Sequence, residues 1–312
     1  MPTISVVIPV YNGEKTIKRT IESVLKQNFN DLEVIVINDG STDSTEEIIK
    51  SIPDSRLKIF SYPNAGLPAS RNRGLSLASC DFVSFIDADD IWTCDKLESQ
   101  LQLLLVNKSA AVAYSWTDYI DADGEYLRSG LRVKVTGDAY SNLLLSNFLE
   151  NGSNPLIRKE AFTKVGNFDE SLRAAEDWDM WLRLASQYEF VVVPKVQILY
   201  RVTTNSMSSN CKNQETESLK VIERAFAHPK AASLQHKKNY ALARLYQYLT
   251  FQVLKTSQSK RKSWIAAQFF WTSLKYEPSL LEQRRLILTA VLKIILAELH
   301  YQVGIFKHPQ LS

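Results

Sequence analysis

Short apolar runs, each stopped by turn-forming residues, recur through the N-terminal part of the chain. Ile4 to Ile8 runs into Pro9-Val10-Tyr11-Asn12, and Val34-Ile35-Val36-Ile37 into Asn38-Asp39-Gly40-Ser41. Phe82-Val83-Ser84-Phe85-Ile86 runs into Asp87-Ala88-Asp89-Asp90. Runs of this kind predict fully buried strands of a parallel sheet. Strands expected near 4–8, 33–37, 57–60 and 82–86 alternate with helices expected near 14–27, 44–51 and 67–78. The first helix carries Ile17, Ile21, Val24 and Leu25 at helical spacing, and Ser44-Thr45-Glu46-Glu47 fits a capping box opening the second. This alternation predicts βαβ units, an α/β fold with helices on the faces of a mostly parallel sheet.

Further along, Asp95 to Val106 reads as a helix and Ala110 to Ser115 as a strand. Irregular strands over 116–136 surround the turn Asp121-Ala122-Asp123-Gly124. Ala175 to Tyr188 reads as a helix, and two short strands, Phe190 to Val193 and Val196 to Tyr200, flank Pro194. From about 213 onward glycine nearly vanishes, and long helices are expected near 213–227, 234–257, 261–275 and 279–302. The polar segment Thr203 to Asn213 marks a boundary, giving an α/β domain over 1–210 and an all-helical module over 211–312.

Charge sharpens that division. Formal net charge is +3, yet residues 1–210 hold 21 Lys and Arg against 28 Asp and Glu, whereas 211–312 hold 16 against 6. Two regions with different partners are expected. Three cysteines without CxxC spacing, Cys80, Cys94 and Cys211, support neither a disulfide framework nor a zinc site, and predict reduced thiols in a cytoplasmic protein. With a strand expected at Ile4 and no basic-then-apolar stretch before it, no cleaved signal peptide is expected. The longest apolar stretch, Leu286 to Val303, contains Lys293, Glu298 and His300 and makes a poor spanning helix.

In parallel sheets ligands bind beyond the carboxyl ends of the strands, where this chain gathers its acids. Asp87 and Asp89 can hold a hard divalent cation, Mn²⁺ or Mg²⁺, together with ligand oxygens; the alternative is an acidic turn in which Asp90 caps the next element. Asp39 either accepts hydrogen bonds from a nucleobase or ribose, or shapes the turn before the next helix. Tyr11 either stacks on a base or packs at the sheet edge. Arg71 and Arg73, in Ala69-Ser70-Arg71-Asn72-Arg73-Gly74, either pair with a diphosphate or lie solvated. Glu176-Asp177-Trp178-Asp179 places three acids in the first turn of a helix. They either complement the helix dipole or supply a general base whose proton affinity its neighbours raise. No GxxxxGK[ST] or GxGxxG is present, and His228, His236, His300 and His308 all lie in the basic C-terminal region.

Taken in order, Ser5-Val6-Val7-Ile8-Pro9-Val10-Tyr11-Asn12, Asn38-Asp39-Gly40-Ser41-Thr42-Asp43, Arg71-Asn72-Arg73-Gly74, Phe85-Ile86-Asp87-Ala88-Asp89-Asp90 and Glu176-Asp177-Trp178-Asp179 resemble glycosyltransferase family 2. The resemblance covers about residues 3–208. It implies a GT-A nucleotide-sugar-binding fold, a divalent metal and inversion at the anomeric centre. It further implies that Pro9, Tyr11, Glu14, Asp39 and Arg71 border the nucleotide, that Asp87 faces ribose and metal, and that Asp89 is the direct metal ligand. Asp177 would be the base, Glu176 and Asp179 would shape its site, and Trp178 would border the acceptor. The donor would be a nucleotide sugar, by default a UDP sugar, and the acceptor a hydroxyl of a glycan or lipid-linked acceptor in cell-surface polysaccharide synthesis. The chain departs from the family at Tyr200-Arg201-Val202-Thr203, where Thr203 replaces a histidine that can approach the metal; Ser206 and Ser208 fit the family's next segment.

Two rival classes are weaker. A sugar-nucleotide pyrophosphorylase wants a glycine-rich phosphate loop, and residues 1–65 contain only Gly13 and Gly40. A nucleotide-sugar-binding scaffold without transfer activity is the other. In residues 260–276, Lys260-Arg261-Lys262 stand beside Trp264, Phe269, Phe270 and Trp271. That segment suits an anionic membrane surface, at the inner face of the membrane, or else forms a helical bundle with the aromatics in its core. No nucleic-acid motif accompanies the basic charge.

Overall fold

The computed structural model describes residues 3–202, 210–256 and 261–307, with side chains to 255 and 299 in the last two stretches. Two compact units emerge: Met1–Leu143 with Asn147–Thr203, and Leu144–Ser146 with Thr204–Ser312. In the first, β1 (Ile4–Val10), α1 (Ile17–Leu25), β2 (Leu32–Asn38), α2 (Thr45–Lys50), β3 (Leu57–Ser61), α3 (Leu67–Leu77) and β4 (Phe82–Phe85) alternate. They are followed by β5 (Ile91–Trp92), α4 (Lys96–Val106), β6 (Ala110–Ile120), β7 (Tyr126–Ser129), α5 (Tyr140–Leu145), β8 (Leu156–Arg158), α6 (Glu160–Val165), α7 (Glu176–Gln187) and β9 (Glu189–Arg201).

Among the described residues the strands form one nine-stranded sheet ordered β3-β2-β1-β4-β8-β6-β9-β5, with β7 paired to β6. The half β3-β2-β1-β4 is parallel. Beyond β4 the short β8 runs antiparallel to both β4 and β6, and β9 returns parallel to β6. Every residue of β1 and β2 is buried, as the mainly apolar runs predict, and the polar Ser5, Glu33 and Asn38 are buried with them. Ile17, Ile21 and Val24 of α1 close onto that surface. The chain order reverses between β1 and β4, so the crevice at their carboxyl ends is a topological switch point, where α/β sheets bind ligands.

Four elements escaped the sequence reading: β5, β8, α5 and α6 are each six residues or shorter, too short to develop a period. Two further expectations need correction. The strands expected on either side of Pro194 are one continuous β9. Between the pairs Tyr114↔Val192 and Trp116↔Val196, β9 advances four residues while β6 advances two, so Pro194, which has no N–H to give, sits in the irregularity. The capping box at Ser44 does not form. Asp43 takes its place, accepting from the Thr45 N–H at 3.1 Å and from the Thr45 hydroxyl, because an ionised carboxylate is a stronger acceptor than a serine hydroxyl.

One close packing contact sets the site's geometry. A Cβ added at Gly74 of α3 would lie 2.2 Å from Val7 Cγ1. Glycine here lets α3 lie directly against β1 and fixes the height at which Arg71 and Arg73 project.

The second unit consists of helices α8 (Cys211–Ala227), α9 (Lys238–Thr256), α10 (Lys262–Tyr276) and α11 (Arg284–Lys307), with 3₁₀ segments at Pro229–Lys237 and Pro278–Glu282. Val253 and Ala266 are central to its small core, joined by Leu254, Ile265, Phe269 and Ile294. Trp264 and Trp271 stand outside it, 60% and 61% exposed, so the bundle-core alternative for these two residues fails. Cys80, Cys94 and Cys211 form no disulfide with one another. No helix among the described residues is long and apolar enough to cross a membrane.

Candidate active site

Arg71 is the centre of the site. It projects from α3, is 1% exposed, and donates from Nη1 to Glu176 Oε1 at 2.7 Å and from Nη2 to Asp87 Oδ1 at 2.7 Å. One guanidinium thus ties the acidic turn after β4 to the acidic first turn of α7, segments far apart in sequence. Burial pulls its proton affinity down, and the carboxylates of Asp87, Glu176 and Asp177 more than reverse that, so it stays charged. Its face lies 5.5 Å from the Phe168 ring. Arg73, two residues on, donates to Asp39 Oδ1 at 2.9 Å. Helix α3 therefore links the ends of β2 and β4 to the start of α7.

The turn after β4 is held from both sides. The Asp87 N–H donates to Ser153 Oγ at 2.9 Å, and the Ser153 hydroxyl donates to Asp90 Oδ2 at 2.5 Å. Asp90 is completely buried and accepts the Arg201 N–H at 3.0 Å, so it anchors the turn instead of capping a helix. Burial and the charges of Asp89 and Asp87 raise its proton affinity well above the ordinary range. Arg201 completes the lock, donating to the carbonyls of Asp89, Asp121 and Ala122 at 2.9, 2.8 and 2.8 Å. Thr203, Ser206 and Ser208 lie outside the described residues.

Asp177 is part-buried. Its carboxylate accepts the Trp178 N–H at 2.6 Å and the Asn147 amide at 3.2 Å. Burial and the adjacent Glu176 raise its pKa to about 7, against the opposing charge of Arg71. Around it Asp179 accepts from Arg183 Nε at 2.8 Å, and the Trp178 indole N–H donates to the Leu143 carbonyl at 2.8 Å. Trp178 is itself 6% exposed.

Of the residues expected to border a nucleotide, Tyr11 is exposed just past β1 and Pro9 is buried within it, opposite Ile37. Glu14 is exposed and accepts the Ser44 N–H at 3.2 Å. Asp39 is buried, and besides Arg73 accepts the N–H groups of Ala65 and Gly66 at 3.0 and 2.8 Å. It thereby organises the loop between β3 and α3.

Sequence reasoning missed the segment 147–154. A Cβ at Gly152 would lie 2.2 Å from Arg71 Nη2, so glycine leaves room for the guanidinium. Gly152→Ala is expected to cost about 1–3 kcal/mol through overpacking and to weaken the Arg71 link to Asp87. Calorimetric melting reads the first effect and transfer rate the second. The buried Arg71 Nε, Asn147 Oδ1 and Asn151 Oδ1 have no hydrogen-bond partner among the described residues. Buried polar atoms without partners are costly. Backbone strain gathers here too. Among the described residues, the non-glycine positions with positive φ are Asn12 (51°), Glu150 (71°) and Ala175 (57°). They directly follow Tyr11, stand beside Asn151-Gly152, and directly precede Glu176, and strain of this kind concentrates at functional sites. The only sequence signal for the segment was the polar run Asn151-Gly152-Ser153-Asn154.

A cation's fit rests on Asp87 and Asp89. Burial and the Asp87 charge raise the Asp89 carboxyl to about 6, an excess of negative charge that a cation relieves. Oxygen donors in this number suit Mg²⁺ or Mn²⁺ completed by substrate phosphate. Among the described residues, no group of three or more His, Cys, Asp or Glu could hold an ion unaided.

Comparison with known proteins bears on family and fold. The family described as "Glycosyltransferase like family 2" matches residues 5–253. An uncharacterized glycosyltransferase of Rickettsia prowazekii is 32% identical over 69% of the chain and 70% of its own length. The chondroitin synthase of Pasteurella multocida is 29% identical over 70% of the chain, which spans only 22% of that longer protein. Among solved structures, Staphylococcus aureus TarS in complex with UDP superposes with a TM-score of 0.55 at 21% identity, covering 90% of this chain and 92% of that one. The mannosyltransferase PcManGT of Pyrobaculum calidifontis, in complex with GDP-Man and Mn²⁺, superposes at 0.59 with 17% identity, covering 96% and 87%. The fold is that of GT-A glycosyltransferases.

Proposed function

The chain belongs to glycosyltransferase family 2, and from that premise we propose that it transfers a sugar, with inversion, from a nucleotide-sugar donor to an acceptor hydroxyl. The observation that carries this reading is the double clasp of Arg71 on Asp87 and Glu176. It makes the two acidic segments parts of one site. Asp177 removes the proton of the acceptor hydroxyl. That oxygen attacks the anomeric carbon from the face opposite the diphosphate, the bond from carbon to diphosphate oxygen breaks, and a single displacement inverts the centre. Held by Asp87 and Asp89, Mn²⁺ or Mg²⁺ would offset the charge of the departing diphosphate. A diphosphate so stabilised needs no protein acid, unlike the leaving group of glycoside hydrolysis. Arg71 keeps both acidic segments in register, and Tyr11, exposed at the end of β1, offers an aromatic face to the base.

UDP is the expected nucleotide, in keeping with the UDP bound by TarS. The acceptor is expected to be a growing glycan or lipid-linked acceptor in surface polysaccharide synthesis, met at the cytoplasmic side of a membrane. The direct test is a thermal-shift screen of nucleotide sugars with and without Mn²⁺. A donor present at about 100 times its Kd stabilises the folded state by about 2.7 kcal/mol. The shift is expected with one donor and Mn²⁺ together, and Asp89→Asn should abolish its metal-dependent part. A shift that is the same without metal, or unchanged in Asp89→Asn, would remove the metal from the reading.

A further inference from the structure

The second unit carries a surface that the transfer chemistry leaves unused. Helices α9, α10 and α11 border a shallow, solvent-open cavity of about 400 Å³. Phe251, Leu254 and Leu296 give it apolar walls, and Lys255, Lys262 and Lys293 bring three ammonium groups to it. Lys293 Nζ stands 5.6 Å from the Phe251 ring centroid. The size suits a small ligand, and the lining suits an anion attached to something greasy.

Beside this cavity α11 is apolar on both sides. Ala290 is fully buried and Ile294 packs on the core, but Leu288, Leu292, Ile295 and Leu299 are 69%, 58%, 50% and 50% exposed. Their spacing of four, three and four residues puts them on one stripe. Trp264 and Trp271, seven apart on α10, are exposed as well. A surface helix normally turns polar residues to water, so this face is built to be covered.

Charge decides by what. Residues 238–307 hold eleven Lys and Arg against three Glu. A second copy docking here would press like charges together, whereas an anionic lipid surface complements them. Exposed leucines beside tryptophans, with lysines whose long stems reach past apolar surface, are the composition of a helix lying in the headgroup layer. We propose that α10 and α11 rest in the interface of an anionic bilayer, and that the Lys255–Lys262–Lys293 cavity receives a phospholipid phosphate. The contact attaches the protein without spanning the membrane. It extends the segment 260–276 indicated by sequence to α11 and to α9; Lys260 lies outside the described residues.

Vesicle flotation of the full chain, with no sugar donor present, tests this apart from the transfer reading. Wild type should float with phosphatidylcholine vesicles containing phosphatidylglycerol and much less with phosphatidylcholine alone. Each lysine near the surface contributes about fivefold in partitioning, so the Lys255→Gln, Lys262→Gln, Lys293→Gln variant should lose about a hundredfold. Leu292→Ser with Ile295→Ser should weaken binding at every salt concentration, the lysine variant chiefly at low salt. Unchanged helical circular dichroism in both variants excludes unfolding as the cause. Equal partitioning to both vesicle types, or no flotation of wild type, overturns the proposal. So does a concentration-dependent dimer in sedimentation that Leu292→Ser and Ile295→Ser dissolve, because a second copy would then be the cover.

Discussion

Asp177→Asn is expected to lower sugar transfer by about 10²–10⁴-fold, the range a positioned general base contributes, while donor-dependent thermal shift stays nearly intact. Asparagine keeps the shape and the contacts to Asn147 and the Trp178 N–H but cannot take a proton. If Asp177 is the base, the wild-type pH profile is expected to follow its carboxyl, which burial and Glu176 raise to about 7 against Arg71. The base works when ionised, so the rate should fall as pH drops below about 7 and level off above it. Stability moves the other way. A carboxyl whose folded pKa lies above its ordinary 3.8 favours the fold below that value and loses the contribution as pH rises through about 7. Asp177→Asn has no such loss, so at pH 8 it should melt no lower than wild type. An inactive variant that also melts several degrees lower at pH 8 would mean that Asp177 supports the structure. Wild type inactive on every nucleotide sugar, yet shifted by one of them, would favour the binding scaffold.

Arg71→Ala is expected to cost about 3–5 kcal/mol, because it strands buried carboxylates that the guanidinium now neutralises. Asp87, Glu176 and Asp177 would share one site without a cation from the chain. The deficit, read by denaturant unfolding, should shrink as pH falls and the stranded acids protonate. Arg71→Lys keeps the charge but cannot hold two carboxylates with a planar fork, so it should recover part of the stability and little of the activity. If Arg71→Ala unfolds with the wild-type midpoint, the clasp on Asp87 and Glu176 is not what joins the segments.

The parallel half of the sheet was legible in sequence because burial on both faces leaves β1 and β2 mainly apolar, with Ser5, Glu33 and Asn38 the exceptions. Asp87 and Glu176 were legible as acids at strand and helix ends. Their meeting was not, because it depends on a third residue. Arg71 read equally well as a solvated helix residue, and only the absence of a Cβ at Gly74 and Gly152 lets it lie buried between them. For Asp90 a capping role was one alternative, since sequence gives no measure of depth; Ser153 and Arg201, its partners, come from distant segments. Asn147 and Asn151 carry no period, and their hydrogen-bond partners, Asp177 and Thr117, come from distant segments. The exposed stripe of α11 was missed for a related reason, since a run apolar on all sides does not say which side is covered.

The antiparallel seam at β8 bears on how the chain emerges during synthesis. Strand β4 pairs with β1 on one side and with β8 on the other. Roughly 70 residues separate β4 from β8, about 4–14 s of translation at typical rates. During that interval β1 to β4 can assemble, but the far edge of β4 has only later, unmade chain to pair with. An open hydrophobic edge is a template for wrong pairing, so ribosome-bound chains halted between residues 100 and 150 should be the species most dependent on chaperones.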